Sequence, residues 1–371
     1  MKKVTAVMLA LLFTASGEAT AQQVCTIGAT MPLTGPAAFL GDIWKNGLNL
    51  ATEEVNQTNA AGNWRLQIIY EDDQADPAKA VTNARKLISI DKVPLILSNF
   101  TRNLFALIPV IDENKVVLFN PSSFTPGFTK KSEWAFRISE DPVSGTRLLS
   151  TYAVNNLKLK RYVIYHMNDD YGLASRDIAA AKLKELGGDV LETASYDAGS
   201  TDFRSQLVKF KALSPQGLMI FGPGREQGLI IKQAYEMGFR PQFMTDMTIE
   251  VMGAAKTAGK EAVEGLTYWN GAFDPDSKEP HIAAFVKKYQ EKFGKRPDSW
   301  AAIHYDAAKI VASTIAKAGC NADGIRQALY QVKDFPGVSG STSILSTREV
   351  NKKLVLKKVV NGEFLFISPS N

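Results

Sequence analysis

From Cys25 onward, short apolar runs alternate with longer segments whose apolar residues recur every three or four positions. A brief apolar run bounded by turn residues reads as a buried strand, and the longer spacing reads as one face of a helix. Thr26–Thr30, Leu66–Tyr70, Pro94–Ser98 and Val116–Asn120 are therefore predicted strands. Between them, Asp42–Thr58 puts Ile43, Gly47, Leu48, Ala51 and Val55 on one helical face. Asp76-Pro77 marks a second helix start, with an N-cap acceptor followed by a ring suited to the first turn. Ala80, Val81, Ala84, Leu87 and Ile88 follow at helical spacing, and Asn103–Glu113 forms a third helix.

A second series begins after the polar stretch at 140–145. Its predicted strands are Tyr162–His166, Val190–Ser195, Gly217–Phe221, Gln242–Thr245 and Leu266–Trp269. Its helices are Ala174–Leu186, closed by Gly187-Gly188, Thr201–Leu213, capped by Ser200 or Thr201, and Glu226–Met237. Helices over Pro280–Phe293 and Trp300–Ala318 follow. The tail Leu354–Ile367 reads as a hairpin turning at Asn361-Gly362. Two successive series of this kind predict an α/β protein with two doubly wound parallel sheets. Ligands in such folds bind beyond the C-terminal ends of the strands. The loops of interest are Met31–Gly41, Asn99–Asn103, Asn120–Gly127, Met167–Leu173, Gly222–Arg225 and Asp246–Glu250.

The length of 371 residues fits about two domains. With 45% hydrophobic and 22% charged residues, disorder is excluded. The apolar stretch Val4–Phe13, preceded by Lys2 and Lys3 and followed by Ala19-Thr20-Ala21, has the layout of a secretory signal peptide cleaved after Ala21. Gln23-Val24 lacks the small residue expected before a lipidated cysteine, so a soluble exported protein is expected. Cleavage removes two lysines and one glutamate, taking the net charge from +5 to +4. That charge forms no basic run, which argues against nucleic acid as a partner. Export permits disulfides. Cys25 and Cys320 either pair or stand as two buried thiols.

The chain has no Gly-x-Gly-x-x-Gly, no Walker loop and no Gly-x-Ser-x-Gly elbow. The three histidines, His166, His281 and His304, have no metal-ligand spacing, so neither metal nor cofactor is expected. Asp72-Asp73 and Asp169-Asp170 read as loop acids and helix caps. A hydrolase using His166 with Asp169 is a minor alternative. Thr101, at a strand–helix junction, and Ser122-Ser123, just after a strand, offer hydroxyls and amides suited to a carboxylate. Arg102 offers a second anion anchor. Tyr171 offers an aromatic wall with a polar handle.

Several stretches carry a family pattern. They are Thr26 to Pro36 (Thr-Ile-Gly-Ala-Thr-Met-Pro-Leu-Thr-Gly-Pro) with Gly41-Asp42, and Tyr70-Glu-Asp-Asp73 with Asp76-Pro77. Asn120-Pro-Ser-Ser123 with Pro126, Asp170-Tyr171-Gly172, Gly228–Ala234 and Phe243-Met244 complete it. In order and spacing, the whole mature chain resembles the type I periplasmic binding proteins of ABC transporters, the branched-chain amino acid (Leu/Ile/Val)-binding group. The resemblance implies a two-lobed, hinged clamshell. One lobe would comprise 24–141 and 272–345, and the other 142–271 and 346–371. It further implies a periplasmic monomer that encloses a carboxylate-bearing hydrophobic amino acid or aromatic acid and hands it to a membrane permease. A periplasmic sensor of the same fold is the alternative. Thr101, Ser122 and Ser123 match the family's carboxylate-holding positions, and Tyr171 matches its aromatic residue on the facing lobe. Asp246 lies at or beside an acid that commonly binds the ligand ammonium. Phe124 stands where amino-acid binders often carry an ammonium-holding Thr. Leu40, with Phe39 beside it, occupies an aromatic-wall position. Phe39, Phe100, Phe124 and Tyr171 are candidates for an apolar pocket suited to an amine-free acid.

Overall fold

The computed structural model describes residues 22–367, except 124–126, 140–141, 223 and 251–252. The expected signal peptide and Phe124 lie outside the described residues.

The first sheet is all parallel, in the order β2-β1-β3-β4-β5. Its strands are β1 (Gln23–Met31), β2 (Trp64–Asp72), β3 (Leu95–Ser98), β4 (Val117–Asn120) and β5 (Ala135–Arg137). Every residue of β3 and β4 is buried, as expected of strands covered on both faces. Helices α1 (Ala38–Thr58), α2 (Pro77–Ser89) and α3 (Thr101–Asn114) connect the first four strands. Asp76 caps α2, its Oδ1 accepting from Lys79 N at 2.9 Å, with Pro77 in the first turn. α1 begins at Ala38 rather than near Asp42. Gly41 lies against the Pro32 carbonyl so closely that a Cβ would sit 1.8 Å from that oxygen.

After α4 (Pro142–Asn155) the second sheet is built from β6 (Arg161–Met167), β7 (Asp189–Tyr196), β8 (Gly217–Phe221), β9 (Gln242–Thr245) and β10 (Thr267–Gly271). The helices between them are α5 (Asp170–Glu185), α6 (Arg204–Ala212), α7 (Gly224–Glu236) and α8 (Ala254–Ala258). α6 starts later than expected, and neither Ser200 nor Thr201 caps it. Ser200 Oγ is spent on Asp197 O (2.7 Å), and Phe203 N donates to Gln233 Oε1 on α7 (2.7 Å) instead.

The chain then returns to the first sheet through α9 (Pro280–Phe293), α10 (Ser299–Ala318) and α11 (Ala322–Leu329). α10 packs along α1, and it is buried nearly all round. Gly47 permits this approach, because a Cβ there would lie 2.3 Å from Ala301 O. Cys25 on β1 and Cys320 just after α10 form a disulfide, which settles the two alternatives in favour of pairing. A small antiparallel sheet follows, β11 (Phe335–Gly337), β12 (Gly340–Ile344) and β13 (Val350–Lys352). The hairpin of β14 (Leu354–Val360) and β15 (Glu363–Ile367) completes the second sheet, in the order β15-β14-β10-β9-β8-β6-β7. It turns at Asn361 and Gly362, both at positive φ, as a two-residue hairpin turn demands. Val350–Lys352 pairs with β12, and the chain joins the second sheet at Leu354. The chain thus passes between the two large sheets three times, after β5, β10 and β13.

Candidate functional site

Loops and helix starts at the C-terminal ends of both sheets enclose a cavity of about 680 Å³. From the first-sheet side come Leu40, Trp44, Asn99–Asn103, Ser122 and Ser123. From the second-sheet side come Met167–Tyr171, Gly222 and Thr248, while Trp300 of α10 adds a wall. Of the ligand-site candidates read from the sequence, Leu40, Phe100, Thr101, Arg102, Ser122, Ser123 and Tyr171 converge here. Phe39 does not, because it packs against the core.

Thr101 opens α3. The cap position is Phe100, whose side chain has no acceptor to offer, at φ 62° and ψ 128°. A bulky residue at positive φ is strained, and such strain persists only where the surroundings impose it. Here the Phe100 ring is held against Trp44, with centroids 5.3 Å apart. The first intrahelical bond is Leu104 N to Phe100 O (2.9 Å), so the amides of residues 101–103 precede it and face the helix's N-terminal end. An anion is favoured at such an end. Arg102 adds a guanidinium on the same wall.

Behind this wall runs a chain of hydrogen bonds. Ser122 donates to Asn99 Oδ1 through its amide (3.2 Å) and its hydroxyl (2.9 Å). Asn99 Nδ2 lies 3.3 Å from His304 Nε2, and His304 Nδ1 lies 2.8 Å from Trp300 O. A carbonyl only accepts, so Nδ1 carries the proton and Nε2 accepts from Asn99. His304 is fully buried, and burial drives its pKa down to about 3. The neutral ring stacks on Trp44 at 5.3 Å and 12°. This network ties β3, the loop after β4 and α10 into one rigid wall.

On the opposite wall, Asp169 caps α5, its Oδ1 accepting from Gly172 N at 2.7 Å. Burial raises the Asp169 pKa, while Gly172 N and the charge of Arg102 oppose that rise. Tyr171 lies in the first turn of α5 and donates to Asp246 Oδ2 at 2.7 Å. Asp246 is fully buried behind Tyr171, and its Oδ1 accepts from Thr248 N (2.9 Å) and Thr248 Oγ1 (2.6 Å). Burial pushes the Asp246 pKa up, against the pull of these donors. Asp246 thus stands one layer back from the cavity surface, not on it. The acids of the Glu-Asp-Asp stretch act as loop ties: Asp72 holds Leu33 N (2.8 Å), and Asp73 holds Asn103 Nδ2 (3.0 Å).

His166 and Asp169 face other partners. His166 Nδ1 lies 2.9 Å from Met167 O, the His166 ring is buried, and Asp169 is occupied as a cap. Among the described residues no group of three or more His, Cys, Asp or Glu is placed to hold a metal. Trp44 and Trp300 were missed by sequence reasoning, while Asn99 and Thr248 lie in loops it singled out without naming them as site residues. Only the four-residue spacing of Trp300 and His304 within one helix hinted at a shared face.

A family model described as a periplasmic binding protein matches residues 24–363. The Leu/Ile/Val-binding protein homolog 2 of Brucella abortus is 29% identical over 300 residues, covering 80% of this chain and 79% of that protein. The crystal structure of a leucine-binding protein from Thermotoga maritima superposes with a TM-score of 0.85 at 26% identity, covering 92% of this chain and 97% of that one. A solute-binding protein of an ABC transporter from Rhodopseudomonas palustris, solved with 3,4-dihydroxybenzoic acid, has the same fold, with a TM-score of 0.82 at 23% identity over 93% and 96% of the two chains. The chain belongs to the periplasmic binding protein family, as a type I member of the branched-chain amino acid (Leu/Ile/Val)-binding group.

Proposed function

We propose that the protein is the substrate-binding component of an ABC transporter and captures a small carboxylate-bearing ligand, a hydrophobic amino acid or an aromatic acid. The observation that carries this reading is the pairing, in one cavity, of the α3 N-terminal end and Arg102 with an apolar wall of Trp44, Phe100 and Trp300. The carboxylate sits at Thr101, Arg102 and Ser123, backed by Ser122, and the apolar part lies between that wall and Tyr171. Binding needs no covalent chemistry, only enclosure by hinge closure. One lobe comprises residues from about 24 to 141 and from 272 to the end of β13. The other comprises 142 to 271 and the C-terminal hairpin. The mature protein, cleaved after Ala21, is a periplasmic monomer that passes its ligand to a membrane permease. The leucine-binding relative supports the amino-acid form. The dihydroxybenzoate complex supports the aromatic-acid form at the level of fold, since a cavity of this architecture accommodates an aromatic acid there.

A thermal-shift screen of paired carboxylates and their primary amides tests the reading. A carboxylate at about 100 times its Kd adds about 2.7 kcal/mol of stability, and its amide adds far less. Equal shifts from acid and amide would remove the anion site from the account.

A further inference from the structure

We infer that the ligand is an aromatic or aliphatic acid without an α-ammonium group, because the fully buried acid behind the α5 wall of the cavity, Asp246, is sealed by Tyr171. This rests on the carboxylate reading above and narrows it. An α-amino acid brings a cation that must lose its water on enclosure, and it then needs an anion or several good acceptors. Asp246 provides none of these at the cavity surface. Tyr171 Oη donates to one of its oxygens at 2.7 Å, and Thr248 N and Oγ1 donate to the other at 2.9 and 2.6 Å. The carboxylate is completely inaccessible. For Asp246 to reach a ligand ammonium, Tyr171 has to leave its place in the first turn of α5 and vacate part of the cavity wall.

Two other acids line the cavity, and neither replaces Asp246. Asp169 gives Oδ1 to the Gly172 amide as the cap of α5, and its remaining charge is opposed by Arg102. Asp170 is solvent-exposed, as is Arg102, and water screens both charges strongly. Beside the polar side chains of Asn99, Asn168 and Thr248, the apolar part of the lining matches a hydrocarbon body. Trp44 and Phe100 meet at 5.3 Å, Trp44 is backed by the neutral ring of His304, and Leu40, Met167 and Trp300 complete the apolar part. The cavity therefore joins cationic and dipolar recognition for a carboxylate to an apolar wall for the hydrocarbon part.

Matched pairs differing only in the amino group test this by calorimetric titration of the mature protein. The pairs are 3-phenylpropanoate against phenylalanine and 4-methylpentanoate against leucine, with benzoate as a third acid. The des-amino acid of each pair is expected to bind about 10- to 100-fold more tightly. Tighter or equal binding of phenylalanine or leucine overturns the inference and leaves the carboxylate reading standing. No binding by any of the five acids removes both. Tyr171→Phe, which frees one Asp246 oxygen, is expected to improve the amino acids relative to their des-amino partners. An unchanged ratio would show that the seal on Asp246 does not set the preference. Asp169→Asn, which keeps the cap, is expected to leave the ratio alone. A selective loss of amino acids there would make Asp169 the ammonium site and overturn the inference.

Discussion

Acid should weaken this protein through one residue packed behind the wall of its cavity. His304 is fully buried, donates to Trp300 O and accepts from Asn99, so the folded chain holds it neutral. Its pKa falls from 6.5 to about 3, with burial as the cause. A histidine whose pKa is depressed by folding contributes stability that is fully present above its unfolded pKa. The contribution is lost as pH falls toward the folded value. Each unit of difference amounts to about 1.4 kcal/mol. The loss attributable to His304 is therefore about 2 kcal/mol at about pH 5 and approaches about 5 kcal/mol near pH 3. Urea unfolding of the wild type and of His304→Gln, between about pH 7 and pH 4, isolates this share. His166 titrates alike in both proteins and cancels in the comparison. The wild type should lose stability more steeply than the variant below about pH 6.5. Parallel curves for the two proteins, or a ring nitrogen-15 signal of His304 that titrates near 6.5, would refute the buried neutral assignment.

Removing the disulfide as Cys25→Ala with Cys320→Ala should cost about 2–5 kcal/mol in urea unfolding, since it closes a loop spanning 295 residues, while ligand affinity stays within about twofold. Gly47→Ala should destabilise by about 1–3 kcal/mol in the same assay, despite alanine's better helix propensity, because the new Cβ meets the Ala301 carbonyl at 2.3 Å. Asn99→Ala should weaken carboxylate binding about tenfold by calorimetry, because Ser122 and His304 both lose their shared partner.

The strands of the first sheet were legible because both faces are buried, so β3 and β4 appear as unbroken apolar runs. Helix α2 was legible because Asp76-Pro77 is a local signal that the tertiary structure leaves intact. The start of α6 was not, because a tertiary bond from Phe203 N to Gln233 replaced the local cap offered by Ser200. The small third sheet escaped notice because its strands are three to five residues long, partly exposed, and carry Gly, Pro and Ser. Within the cavity, Thr101, Ser122 and Tyr171 were readable because loop position alone places them at strand ends. Trp44 and Trp300 were not, since each sits at ordinary core spacing in its own helix. They become a wall only when α10 returns across the chain to lie on α1. Asp246 shows the opposite case. The family resemblance implied contact with the ligand ammonium, but Tyr171, 75 residues earlier, covers it.

A crystal structure of the mature protein grown with a bound acid that calorimetry has identified tests the central claim most directly. The account predicts carboxylate oxygens within hydrogen-bonding distance of the first amides of α3 and of Arg102, and the apolar part against Trp44, Phe100 and Trp300. A ligand bound outside this cavity, or one seated in it with the carboxylate turned away from α3, would contradict it.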